Sequence, residues 1–211
     1  MGSHLWGVVL AGGGGVRLKA LAQRICGDDR PKQYVPVFGA RTLLRQTLDR
    51  VVLGIPPLRT VVVTLRSHAR YFAGQWAGPG PPPHVLVQPA DRGTAAGILF
   101  PLHWVASAHA TGPGFLRAGR EAVPEVDERL ARAEPFLGTD EEAWALHQAY
   151  ALMPKASFSR AILEPCPPCL AVAAIPGVVW SDLGTPRRVF EILGGAQDRP
   201  AWVLASDLAA S

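Results

Sequence analysis

The chain has 211 residues, 48% of them apolar and 18% charged, a length that supports one domain with a substantial core and a composition outside the disordered class. The net charge of +4 comes mostly from arginine, with no lysine-rich run or aromatic-interleaved basic stripe, which sets nucleic acid aside as a partner. No stretch is apolar for long enough to cross a bilayer and no leader-like pattern precedes the first strand, so a cytoplasmic protein without membrane contact is expected.

Leu5, Trp6, Val8, Val9 and Leu10 form the apolar run expected of a strand buried on both faces. Gly12, Gly13, Gly14 and Gly15 follow, and Arg17 comes at the exit. Backbone without Cβ atoms can take positive φ and leaves its amides open to an anion, which suits a phosphate cradle. A dinucleotide fingerprint started at Gly12 or Gly13 would need its third glycine where Arg17 or Leu18 stands, and no Gly-Lys-Ser or Gly-Lys-Thr closes the loop as a P-loop requires.

Residues 19–25 are predicted to form a short helix, and residues 26–30 a polar loop that delivers Lys32 behind Pro31, whose fixed φ limits the loop's freedom. Residues 42–53 carry a helical apolar period with Thr42 as cap, and Gly54 with Pro56 and Pro57 ends it. Residues 60–65, TVVVTL, are the second buried strand, so strand, helix and strand read as a right-handed parallel crossover. Residues 69–76 are predicted as helix and residues 78–83, GPGPPP, as a stiff connection. Residues 84–88, HVLVQ, make the third strand, and P-A-D-R-G-T-A leads from it into a helix over 94–108 with Thr94 as cap. Ligands of open α/β sheets lie outside the carboxyl ends of the strands, so the loops after the first and third strands are the candidate binding loops.

Further on, residues 115–132 and 140–152 are predicted as two helices, residues 170–175 and 178–180 as strands, and residues 185–193 as a helix opened by Thr185 and Pro186. Cys166 and Cys169 sit on a proline-rich turn without the second pair or histidines a zinc site needs. The six histidines show no metal-ligand spacing and read as structural or surface groups.

L-A-G-G-G-G-V-R-L followed by R-P-K-Q-Y resembles the paired motif of the sugar nucleotidyltransferases, the nucleoside-diphosphate-sugar pyrophosphorylases. Q-P-A-D-R-G-T-A is similar to the nucleotide-holding segment of the mannose-1-phosphate guanylyltransferase branch, and W-S-D-L-G resembles the W-x-D-x-G of the family. The resemblance covers residues 5–53, 84–104 and 115–193. It implies an α/β domain over residues 5–193, an open and mostly parallel sheet flanked by helices in the Rossmann-like, glycosyltransferase-A-like manner, with a tail over 194–211 of no assigned role. The implied reaction transfers a nucleotidyl group from a nucleoside triphosphate, GTP by preference, to a sugar 1-phosphate, mannose 1-phosphate by preference, and releases pyrophosphate. By the same resemblance Leu10, Ala11, Gly12, Gly13, Gly14 and Gly15 hold the triphosphate and base edge. Gln88, Arg92, Gly93 and Thr94 lie around base and ribose, Arg17 and Lys32 are the catalytic cations, and Asp182 binds Mg2+. An oligomer is compatible with the resemblance.

The chain departs from the family near residues 110–114, where a strand ending in a second magnesium Asp and a later sugar-binding region with an E-K-P-like motif have no counterpart. A nucleotide-binding remnant or regulatory subunit without turnover therefore stays open beside the enzyme. A cytidylyltransferase shares the glycine-rich first loop, but Q-P-A-D-R-G-T-A argues against it.

Overall fold

A valine run flanked by threonines favours the extended, fully covered environment of a central strand, and β2 (Thr60–Leu65) is buried at every position. In the computed structural model, which describes residues 5–76, 80–109, 113–167, 170–171, 181–195 and 199–204, β2 lies between β1 (Gly7–Leu10) and β3 (His84–Gln88). Both pairings are parallel, with Gly7 opposite Thr60 and Val61 opposite His84. The second and third strands keep their predicted bounds. The first is shorter than its apolar run, and Leu5 is exposed.

The chain divides into two compact units. The first comprises residues 1–12, 55–67 and 80–173. It holds the sheet and α4 (Gly93–His109), α5 (Pro113–Ala122), α6 (Pro124–Ala133) and α7 (Glu142–Ala151). Val61, Val63 and Leu86 of the sheet share one core with Leu99, Phe100, Leu130, Tyr150 and Met153. The predicted single helix over 115–132 is two helices. Pro124 has no N–H to donate backwards but fits a first helical turn, so α5 ends and α6 starts there. A Cβ on Gly119 would come within 2.5 Å of Leu99 Cδ2, so α5 lies hard against α4.

The same helices enclose a polar cluster that the sequence does not reveal. His103 on α4, only 2% exposed, has Nε2 3.0 Å from Asp127 Oδ1 and Nδ1 2.9 Å from Glu134 Oε2. Arg120 Nε donates to the other oxygen of Asp127 at 3.3 Å. Removal of the ring leaves Asp127, also 2% exposed, with the peripheral arginine as its remaining partner. His103→Ala is expected to lower unfolding free energy by about 2–3 kcal/mol, read from urea melts. An unchanged midpoint would mean that the cluster contributes nothing.

The second unit comprises residues 13–54, 68–79 and 174–211. It contains α1 (Lys19–Cys26), α2 (Leu43–Val51), α3 (Ala69–Phe72) and α8 (Pro186–Gly194). Its core joins Leu18, Leu21 and Ala22 to Val35, Val37, Val189 and Leu193. Both helix starts expected from local chemistry are present: Thr42 accepts from Arg45 N at 3.1 Å, and Thr185 accepts from Arg188 N at 3.4 Å with Pro186 in the first turn. The predicted helix over 69–76 is a single α-turn followed by a tighter 3-10 turn.

Of the strands predicted over 170–175 and 178–180, only Leu170 and Ala171 are described, and neither is in a strand. Cys166 is disulfide-bonded. Cys169 lies outside the described residues. No helix among the described residues is long and apolar enough to cross a membrane.

Candidate functional site

The glycine loop and the R-P-K-Q segment are set apart in the chain by α1 and its loop, and packing makes them neighbours in the second unit. Gly15 has φ +62°, and a Cβ built on it would lie 2.7 Å from Lys32 N and 3.1 Å from Pro31 Cα. Only a residue without a side chain lets the two backbones pass so closely. Gln33 Nε2 then donates to Gly13 O at 3.0 Å, tying the loop down from the other side. Among the described residues the amides of Gly13, Gly14 and Gly15 donate no hydrogen bond. A run of unpartnered amides at a strand end is a ready anion-binding surface.

Lys32 reaches the main chain at the residue after Asp182. Lys32 Nζ donates to Leu183 O at 3.4 Å. Asp182 is exposed, and its carboxylate folds over Gly184, where an added Cβ would meet Oδ2 at 2.6 Å. Arg17 is exposed and forms no salt bridge among the described residues. The acids of the preceding loop are otherwise engaged. Arg30 grips Asp28 through Nε and Nη2, both at 2.8 Å, and holds its carboxyl below the usual carboxylate range. Lys19 does the same to Asp29 at 3.1 Å.

The remaining predicted residues belong to the first unit. Ala11, which is buried, continues the β1–β2 ladder by donating to Val63 O at 2.7 Å, while Leu10 is 45% exposed. Gly12 abuts Gln88: a Cβ there would stand 3.3 Å from Gln88 Nε2. Gln88 is buried, and its Oε1 accepts from Tyr150 Oη at 3.1 Å. Burial pushes the Tyr150 hydroxyl far up, so it stays a donor. Gly12, which follows β1, therefore lies beside the end of β3.

Arg92, Gly93 and Thr94 make contacts that the sequence does not announce. Arg92 caps the carboxyl end of α7, Nε donating to Tyr150 O at 2.9 Å and Nη2 to Ala151 O at 3.0 Å. Ala156 N donates to Arg92 O at 3.1 Å and Ala95 N to Ala156 O at 3.0 Å, a two-bond backbone clip across Gly93. Thr94 Oγ1 accepts from Phe158 N at 2.9 Å. Thr94 thus lies inside the first turn of α4 and serves the strap over 153–158. The helix is opened from three residues earlier, by Asp91 Oδ1 accepting from Gly93 N at 2.8 Å.

Lys155 Nζ donates to Asp91 Oδ2 at 2.7 Å and, as the leading cause, lowers the Asp91 pKa. A depressed folded-state value gives stabilisation that is present above the unfolded carboxylate pKa near 4 and is lost as pH falls through the folded value. Lys155 and Asp91 are 66% and 51% exposed, so the effect is small, below about 1 kcal/mol. Asp91→Asn is expected to be slightly less stable than wild type at pH 7 and equal to it near pH 3 in paired urea melts.

No protein-family model matches the chain, and no curated protein does. Among solved structures the fold does recur. The mannose-1-phosphate geranyltransferase from Thermus thermophilus superposes with a TM-score of 0.51 over 75% of this chain and 70% of that one, at 18% identity. The chain therefore has the mixed α/β fold, an open parallel sheet flanked by helices, that the resemblance implied.

Proposed function

We propose that the chain transfers a nucleotidyl group from a nucleoside triphosphate, GTP by preference, to the phosphate of a sugar 1-phosphate, mannose 1-phosphate by preference. The sugar-phosphate oxygen attacks the α-phosphorus, the bond to the β-phosphate oxygen breaks, and pyrophosphate leaves. The observation that carries this reading is the closeness of Gly15 to Pro31 and Lys32, which unites the two halves of the motif around unpartnered amides. In this reading Gly13, Gly14 and Gly15 bind phosphate oxygens through N–H groups. Lys32, already steadied by Leu183 O, stabilises charge near the α-phosphate, and the exposed Arg17 screens the departing pyrophosphate. Leu10, Ala11 and Gly12 are assigned to the triphosphate and base edge, and Gln88, Arg92, Gly93 and Thr94 to the base and ribose.

Among the described residues no three acid, His or Cys groups cluster as a metal cage. One exposed carboxylate, Asp182, still fits Mg2+, which is commonly held by one or two carboxylates and the substrate's own phosphates. Bound there, the ion would supply charge cancellation for the phosphates.

Arg17→Ala and Lys32→Ala are each expected to cut pyrophosphate release from GTP and mannose 1-phosphate by about a hundred- to a thousandfold, with the unfolding midpoint unchanged. No release by wild type, or release indifferent to both changes, would sink the reading. A second reading, nucleotide binding without turnover, is favoured by the engagement of Arg92, Gly93 and Thr94 with residues 150–158. Retained GTP affinity with no product separates it from the first.

A further inference from the structure

The first unit carries a charged group that its own chain leaves unanswered. Arg129 on α6 is half-buried, its Nε is fully shielded from solvent, and that N–H has no acceptor. Among the described residues Arg129 makes no salt bridge or hydrogen bond. A guanidinium N–H taken from water without a partner is costly, and the charge of this one has no counter-anion among the described residues. The side chain lines a recess of about 220 Å³ between α6 and α7.

The other walls give that recess a definite chemistry. Its floor is Ala133, Ala145 and Ala149, all buried. Phe136 and Trp144 stand edge to face with centroids 6.0 Å apart. Trp144 is nevertheless 60% exposed, so one large aromatic surface is left for another group. Arg132 adds a second cation, drawn only loosely toward Glu128 at 3.7 Å. No acidic residue lines the recess. Two guanidiniums and an indole over an alanine floor match a planar ring that bears an oxyanion: the anion pairs with the outer guanidinium nitrogens of Arg129 and Arg132, beyond the shielded Nε, and the ring stacks on Trp144. The volume admits about one ring with its charged group.

The geometry points to a binding site on α6 and α7 for a small aromatic oxyanion, a carboxylate or a phosphate ester, separate from the glycine loop and from nucleotidyl transfer.

The test titrates the full chain with benzoate, phenyl phosphate, benzyl alcohol and sulfate, following the Arg129 Nε–H resonance by NMR and binding by calorimetry. Benzoate or phenyl phosphate is expected to shift that resonance saturably, with a dissociation constant on the order of a millimolar or below. The tighter of the two identifies the anion. Arg129→Gln is expected to weaken binding at least tenfold, and Trp144→Ala and Arg132→Gln severalfold. The last two alter exposed side chains, so they carry the test should Arg129→Gln fail to fold. Benzyl alcohol binding as tightly as benzoate would overturn the anion pairing, and sulfate binding as tightly as phenyl phosphate would overturn the ring stacking. No saturable shift with either aromatic anion, or affinities unmoved by the three substitutions, would overturn the site itself.

Discussion

Gly15→Ala is expected to yield a folded chain that has lost nucleotide affinity and turnover by more than a hundredfold. The strain of one alanine at φ +62° is modest, about 1–2 kcal/mol. The consequence for the site is larger, because the new Cβ is aimed at main chain. It would lie 2.7 Å from Lys32 N and 3.1 Å from Pro31 Cα, and neither atom belongs to a side chain that can swing aside. The segment carrying Lys32 must move as a piece, which takes Nζ away from Leu183 O and Gln33 away from Gly13 O. Displacing a preorganised cation by an ångström costs orders of magnitude in rate. Gly27→Ala is the matched control, since its φ of +76° carries the same strain and its Cβ would meet nothing within 4 Å. Calorimetric titration with GTP and magnesium, and pyrophosphate release, should separate the pair. Two equally active variants would mean that the packing of Gly15 on Lys32 has no part in function.

The residues that were legible in the sequence are those whose physics is local. Thr42 and Thr185-Pro186 begin their helices because a hydroxyl and a ring act on amides within three residues. β2 was legible because burial on both faces leaves a continuous apolar run. The juxtaposition of Gly15 and Lys32 was implied only through family resemblance, since spacing in the chain fixes no distance. His103, Asp127 and Glu134 come from separate turns of α4 and α6 and its end, and none has a motif around it. Arg92, Gly93 and Thr94 were recognised as a segment, but their partners were hidden for a simple reason. Tyr150, Ala151, Ala156 and Phe158 meet them through main-chain groups, which leave no signature in side-chain identity.

Those hidden partners give Gly93→Ala the largest expected effect on stability. Gly93 has φ +83°, and a Cβ would lie 2.3 Å from Ala156 O and 3.0 Å from Ala156 C. Strain at such a position is about 1–3 kcal/mol. Relief by moving residue 156 breaks the two backbone bonds of the clip, at about 1 kcal/mol each. The sum, about 3–5 kcal/mol, is a large share of the roughly 5–15 kcal/mol typical of a domain, and urea melts should show it as a lower midpoint. Function is separated from stability at the next residue. Thr94→Val removes the acceptor for Phe158 N while keeping shape, and is expected to cost about 1 kcal/mol. If GTP affinity survives that change, the Thr94 hydroxyl serves the strap and the base is read elsewhere. If affinity falls tenfold or more with only that small loss of stability, the hydroxyl serves the nucleotide as well, and the strap over residues 153–158 holds one wall of the site in place.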